Sequence, residues 1–288
     1  MQKYRGEILM FVVAFIAAIG WFFSKEAIEE MPSVGFIGLR FAVATLIFLP
    51  FSFSQLNTLN SSQILRAGAV GLALTCNITI WVLAITFSTN FGEGAFIISL
   101  AMLIAPLLAW LAFKQKPART FWLSMPIAMI GLFVLTGSQF GDFDFDIGTI
   151  LFFFTALSAA VFFVLSSQYA KNIPTMALLT VQFSLVCLVC CAYSFFFEDW
   201  PQSISFETWC WFAASTLLAT NFRYFLQIQG LRYCNIVTAA LIMVLEPVWT
   251  LTLSVLILGE ALTVAKTVGC SLILTAIIVY RLPSLWRR

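Results

Sequence analysis

Three ionisable residues stand deep inside long apolar runs of this chain: Glu246, Arg223 and Arg40. Placing such a group near a bilayer centre costs roughly 2.5–3.5 kcal/mol on insertion scales, so it faces a cavity or a partner and marks a functional position. Glu246, at the midpoint of its run, reads as a carboxylate that takes a proton or binds an ammonium group, its protonation responding to desolvation and to neighbouring cations. The architectural alternative is a glutamate beside Pro247, bonded to backbone freed by a helix break. Arg223 carries a guanidinium fork suited to a carboxylate or phosphate. Two partners are open to it: a substrate carboxylate, or Glu246 itself. The two readings alternate if substrate competes for Arg223 and frees Glu246 to take a proton. Arg40 is expected to snorkel or to tie helices together.

Around these charges stands a second tier of polar and aromatic groups. Asn77, Asn221 and Gln227 are amides inside apolar runs and must find hydrogen bonds, either by lining a cavity or by joining helices. Trp21, Trp81 and Trp249 either form an apolar wall for a substrate or pack in the core or against lipid. Glu93, between two glycines, either screens substrate at a cavity mouth or caps a helix N-terminus. Pro106 and Pro247 each remove a backbone bond within an apolar helix, which points to a midplane site and to bending during transport. With no His in the chain, a proton in transit must ride on a carboxylate, and Glu246 is the candidate. The 7 Cys lie in or beside apolar runs, and Cys187, Cys190 and Cys191 read as packing residues rather than metal ligands or a disulfide framework. No catalytic constellation, metal site or cofactor motif is present in the sequence, and a phosphate-binding GxxxxGK[ST] loop is absent.

The elements that must hold these residues follow from composition. Of 288 residues 61% are hydrophobic and only 10% charged, too few polar groups to cover a water-soluble globule. Charge-poor runs fall at about 8–23, 33–53, 67–87, 95–113, 120–138, 147–168, 175–197, 209–231, 234–258 and 266–282. Each approaches the roughly 20 residues that span a bilayer as a helix, the form that satisfies its own backbone there. The first run lacks a small-x-small cleavage pattern and reads as a span rather than a signal peptide. With ten spans both termini share one side, and that side carries eleven Lys and Arg against the single acid Glu7. The opposite side carries eleven acids, among them Glu26, Asp142 and Glu198, against Lys25 and Lys266. The cationic face is cytoplasmic by the positive-inside rule.

Two stretches repeat. Gly92–Trp110 around Pro106 parallels Ile236–Trp249 around Pro247 at a spacing of 141, and Asn77 and Asn221 form a second pair at 144. The chain therefore divides into halves of five spans, residues 1–140 and 141–288, and an odd number per half inverts one relative to the other. The Asp-rich stretch 141–146 between them reads as a solvated loop. The segment Leu245-Glu246-Pro247-Val-Trp249 with Leu258-Gly259-Glu260-Ala-Leu-Thr263 resembles the signature of the EamA branch of the drug/metabolite transporter superfamily, supported by Leu39-Arg40-Phe41 and Pro106. Gln115-Lys116 stands where the first half would carry its own Gly-Glu, and Gly20-Trp21 reverses the usual order. The resemblance implies a ten-helix inner-membrane carrier with a central cavity lined by spans one, three, four, six, eight and nine, usually working as an exporter.

The expected protein is thus an all-α, multi-pass protein of a bacterial inner membrane, with no enzymatic activity and no nucleic-acid partner. It exports a small amphipathic metabolite, such as an amino acid, by alternating access in exchange for protons, and a monomer is compatible with that task. An uptake carrier or facilitative exchanger of an anionic metabolite is the alternative, and a membrane-embedded enzyme or scaffold the alternative of another class. The charge segregation makes a direct prediction: a fluorescent reporter fused after Arg288 folds in the cytoplasm, while a cysteine placed at Asp199 reacts with an impermeant maleimide from outside. Labelling only after lysis would reverse the topology.

Overall fold

The structure, a computed structural model, describes residues 4–87, 91–135, 147–259 and 261–286. Among the described residues every regular element is helical and no strand occurs. The first half contains α1 (Arg5–Ile28), α2 (Ser33–Asn57), α3 (Ser61–Phe87), α4 (Phe91–Ser99), α5 (Ala101–Phe113) and α6 (Arg119–Leu135). The second contains α7 (Ile147–Tyr169), α8 (Thr175–Phe197), α9 (Phe206–Ala214), a π-helical segment (Ser215–Phe222), α10 (Arg223–Tyr233), α11 (Ile236–Met243), α12 (Glu246–Leu258) and α13 (Val264–Trp286).

Eight helical stretches are long and apolar enough to cross a membrane. The other two apolar runs of the sequence fall on α6, with 17 residues, and on the stretch Phe206 to Tyr233, which changes pitch in its middle. Phe195, Phe206 and Leu111 stand 82%, 84% and 76% exposed, an apolar surface suited to lipid and not to water. The chain is a multi-pass membrane protein.

Helix ends are set by local chemistry. At the start of α3 the Asn60 and Gln63 side chains accept reciprocally from each other's backbone N–H at 2.8 and 3.1 Å, a capping box that satisfies two orphan donors. Asn235 caps α11 through Val237 N at 2.8 Å, and Ser205 caps α9 through Thr208 N. The N-terminus of α2 is closed from another element: the Glu198 carboxylate accepts from Val34 N and Gly35 N at 3.0 and 2.7 Å. Glu30 accepts from Ser205 N at 2.7 Å, and that backbone bond holds its carboxyl below the usual carboxylate range. These contacts join the α1–α2 and α8–α9 connections on one face. On the other, Arg232 donates to the carbonyls of Ala170 and Ile173 at the end of α7, and Arg281 pairs with Glu7.

The packing surrounds a central space. α1 lies against α10, α11 and α12, α3 against α7 and α8, α5 against α7 and α11, α2 against α8, and α6 against α13. Beside this space Phe41, Phe183 and Tyr224 meet edge to face, with centroids 5.1 Å apart for Phe41–Phe183 and 5.5 Å for Phe183–Tyr224. Such aromatic contacts fix orientation as well as bury area, and here they anchor the helix that carries Arg223.

Two helices correspond more closely than their sequences suggest. α5 and α12 each have 13 residues, begin after a leucine (Leu100, Leu245) and end at a left-handed residue, Lys114 (φ 55°) and Gly259 (φ 65°). These landmarks repeat at a spacing of 145. The spacing of 141 that pairs the two prolines is therefore displaced by about one turn. Pro247 occupies the first turn of α12, where its missing N–H would be unsatisfied in any case. Pro106 sits inside α5, and the interruption of the fourth run falls at Leu100, without a proline. The counterpart of Gly259 is Lys114 rather than Gln115, and among the described residues Lys114 is the only non-glycine with positive φ.

A left-handed conformation costs an L-residue roughly 1–2 kcal/mol, a cost glycine does not carry. Gly259→Ala should therefore lower, and Lys114→Gly raise, the melting temperature of the detergent-solubilised protein, each by the equivalent of about 1 kcal/mol. Opposite signs at corresponding positions are the expected result; a shared sign would show that other contacts dominate these caps.

Candidate functional site

A cavity of about 250 Å³ lies among α1, α2, α3, α7, α10 and the broken stretches α4–α5 and α11–α12. Its polar wall comes from Ser24, Arg40, Asn77, Arg223, Gln227 and Glu246, and its apolar wall includes Trp21, Trp81, Met102, Phe162 and Met243. The first, third, fourth, sixth, eighth and ninth apolar runs of the sequence all contribute residues, and the second, on α2, adds Ile37, Arg40 and Phe41.

Glu246 reaches the cavity because α11 ends at Met243 and α12 starts at Glu246 itself. The carboxylate stands in the first turn of α12, where unpaired N–H groups and the helix dipole favour negative charge. Its recorded partner is the Trp21 indole, Nε1 donating to Oε1 at 3.1 Å. The indole, and not backbone freed by the break, holds this group. Trp21 meets Trp81 edge to face with centroids 5.7 Å apart, so α1 and α3 share an aromatic boundary beside the carboxylate.

Arg223 begins α10 immediately after the π-helical segment. A π-helix shifts the register of every residue beyond it and is frequent at functional sites. The Arg223 guanidinium lies 5.0 Å from the Tyr224 ring, and its Nε is buried without a hydrogen-bond partner. Among the described residues it forms no ion pair with Glu246 or any other acid. Of the two partners open to Arg223 in the sequence, the buried pair is not formed in this conformation. Gln227 lies one turn further on the same helix face, with its Oε1 also buried and unpaired.

Arg40 is more firmly held. Its Nε donates to Thr220 Oγ1 in the π-helical segment, and Nη1 donates to Ser24 Oγ at 3.1 Å. It does tie helices together, α2 to α1 and to the π-helical segment, but it also lines the cavity. The sequence marks Arg40 as a charge that must face a cavity or a partner and favours the structural role; here it takes both places. Ser24 and Thr220 carried no signal, being two among many hydroxyls.

The remaining expected residues divide. Asn77 lines the cavity and donates to Thr155 O at 3.1 Å, joining α3 to α7. Trp81 and Gln227 line it as well. Asn221 and Trp249 do not. Asn221 is buried in the π-helical segment with both amide atoms unpaired, and Trp249 packs edge to face on Phe11 and Phe15 at 5.5 and 5.2 Å, its Nε1 unpaired. Pro106 and Pro247 lie outside the lining. The side chain of Glu93 and the stretch 141–146 lie outside the described residues.

Comparison with known proteins agrees with this architecture. The model of the EamA-like transporter family matches residues 4–137 and again residues 146–282. An uncharacterized transporter of Archaeoglobus fulgidus is 26% identical over 283 residues, covering 98% of this chain and 87% of that protein. A solved crystal structure superposes with a TM-score of 0.78 at 16% identity, covering 95% of this chain and 96% of that one, a likeness of fold alone.

The way Arg40 is held supplies a prediction. Thr220→Val leaves the Arg40 Nε–H without its acceptor inside the protein, and a hydrogen bond to a charged group contributes about 1.5–3 kcal/mol. The melting temperature should fall accordingly, whereas Thr252→Val, at an exposed hydroxyl bonded only to its own helix, should stay within about 0.5 kcal/mol of the parent. Equal effects at the two sites would show that Thr220 does not hold Arg40.

Proposed function

We propose, from the premise that this chain belongs to the EamA-like transporter family, that it is a secondary active carrier whose substrate occupies the cavity bounded by Arg223 and Glu246. The observation that carries this reading is convergence. Asn77 and Trp81, from the first stretch matched by the family model, and Arg223, Gln227 and Glu246, from the second, line one space. A binding site at a junction of halves is what alternating access requires, because movement of one half against the other then exposes the same groups to opposite sides.

In this reading the chain crosses the membrane ten times, in two halves of residues 1–140 and 141–288 that are inverted relative to each other, with both termini cytoplasmic. Helix pairing supports the division. Exchanging the halves maps the α1–α10 contact onto the α7–α3 contact and leaves the α2–α8 and α6–α13 pairs unchanged. The 145-residue spacing of α5 and α12 supports it too. The membrane is the bacterial inner membrane, and the direction is export of a small amphipathic metabolite, such as an amino acid, in exchange for protons. Glu246 is the proton-carrying group, and its hydrogen bond to Trp21 is the contact that opens and closes around it. Arg223 binds the carboxylate of the substrate. A second reading, uptake or facilitative exchange of an anionic metabolite, is favoured by the presence of two guanidinium groups and one carboxylate at the cavity.

Substrate counterflow in proteoliposomes across a metabolite panel tests the proposal. Wild type should show saturable exchange that responds to an imposed pH gradient. Arg223→Ala should lose about tenfold or more of its apparent affinity for carboxylate substrates, as expected for loss of a charge-assisted bond. Glu246→Gln should exchange substrate without response to the gradient. Non-saturable flux, or pH-coupled transport unchanged in Glu246→Gln, would refute the carrier and the coupling assignments respectively.

A further inference from the structure

Arg40 and Arg223 come from different helices, α2 and α10, yet both line the cavity, so that two like charges border one space. Among the described residues no carboxylate pairs with either one. The recorded partners of Arg40 are two hydroxyls, Ser24 and Thr220. Hydroxyls orient a guanidinium without neutralising it. Arg223 makes no hydrogen bond or ion pair with any described residue, and its Nε is buried and unpaired. Among the described residues Glu246 is the single acid that lines the cavity, and it is engaged by the Trp21 indole. Two cations and one anion leave one positive charge in excess, in surroundings where an unanswered charge is costly.

We propose that Arg40 and Arg223 together form one oxyanion site, that it takes the carboxylate of the transported molecule, and that this molecule carries one net negative charge. Arg40 is then a binding residue, pre-oriented by Ser24 and Thr220 so that little freedom is lost when the anion arrives. A carboxylate between two forks gains charge-assisted bonds from both and ends their mutual repulsion. The charge count selects the class. A monoanion neutralises the cavity with Glu246 ionised, a zwitterion leaves the excess in place, and a phosphate monoester, carrying about −1.5 to −2 at neutral pH, overshoots it. Trp81, Met102, Phe162 and Met243 face the rest of the space and suit a hydrocarbon or aromatic body. The inference rests on the cavity being the transport site, and within that premise it favours the second reading above, an anionic metabolite, over a zwitterionic amino acid.

Thermal stabilisation of the purified full-length chain, titrated with phenylacetate, phenylacetamide, phenylalanine and phenyl phosphate, tests it. Phenylacetate should stabilise wild type at concentrations about tenfold or more below the other three. Arg223→Gln, which removes no hydrogen bond or ion pair among the described residues and gives up only the contact with the Tyr224 ring, should abolish that preference. Arg40→Gln should abolish it as well, and Arg40→Lys should retain part of it. Equal stabilisation by the amide or the zwitterion, stronger stabilisation by the phosphate, or no stabilisation by any of the four overturns the proposal. A preference that survives Arg40→Gln in a folded variant returns Arg40 to a structural role and equally overturns the paired site. Counterflow of phenylacetate separates the two levels. Binding without counterflow rejects the transport reading and leaves the anion site standing, while counterflow without carboxylate preference does the reverse.

Discussion

A guanidinium inside a membrane must be surrounded by oxygen atoms or by a cavity, because lipid offers it neither hydrogen-bond acceptors nor a high dielectric. Much of the central architecture answers that constraint at Arg40. Ser24 of α1 and Thr220 of the π-helical segment supply the oxygens, and the rings of Phe36 and Phe41 lie 5.6 and 5.9 Å from the guanidinium carbon. To bring the two hydroxyls within reach, α1 and the π-helical segment must approach closely. They do so at Gly20, where an added Cβ would lie 2.6 Å from the Ala219 Cβ. Gly20-Trp21, an inversion of the familiar order, thus places the small residue at the helix crossing and the indole beside Glu246.

Departures from regular helix do the rest. The break between α11 and α12 turns a mid-helix glutamate into an N-terminal one, so that the dipole of α12 complements a carboxylate in the middle of the protein. The π-helical segment does the same for position rather than for charge. The eight-residue π-helical segment before Arg223 resets the face on which Arg223 and Gln227 stand. Each irregularity carries a cost in backbone bonding, and each brings a charged side chain to the cavity, although the same elements also present Leu217, Phe222 and Leu256 outward. Irregular backbone at membrane depth is tolerated where it is packed in protein or borders a space that can hold water or solute.

The two matched stretches of the chain have diverged in a consistent way. Both α5 and α12 end in a left-handed turn, but only α12 has the glycine that adopts it without strain. Only α12 begins with an acid; the corresponding position of α5 is Ala101. The charges of the cavity, Arg40 excepted, therefore come from the second stretch, while the first contributes Asn77 and aromatic surface. An internally repeated scaffold with an unequal distribution of charge presents different chemistry on its two sides, which is what a site selective for one oriented, amphipathic molecule needs.

The sequence by itself determined the class of protein and the helices, because apolar runs of span length and the near-absence of charge within them are one-dimensional properties. It also isolated Glu246 and Arg223, since a charge inside such a run is conspicuous whatever surrounds it. Periodicity and motif did not reveal which of these groups meet. That Glu246 bonds Trp21, 225 positions away, and not Arg223, was decided by the break at Val244–Leu245 and the pitch change at Ser215–Phe222. Pro247 marks the first of these irregularities, but the pitch change, like the interruption at Leu100 in the corresponding run, has no proline to place it. Asn221 and Gln227 look equivalent as isolated amides, yet Asn221 is buried within the π-helical segment while Gln227 lines the cavity. Composition decides what enters a membrane; only the register of the packed helices decides which side chains face each other, because one residue of shift rotates a helix face by about 100°.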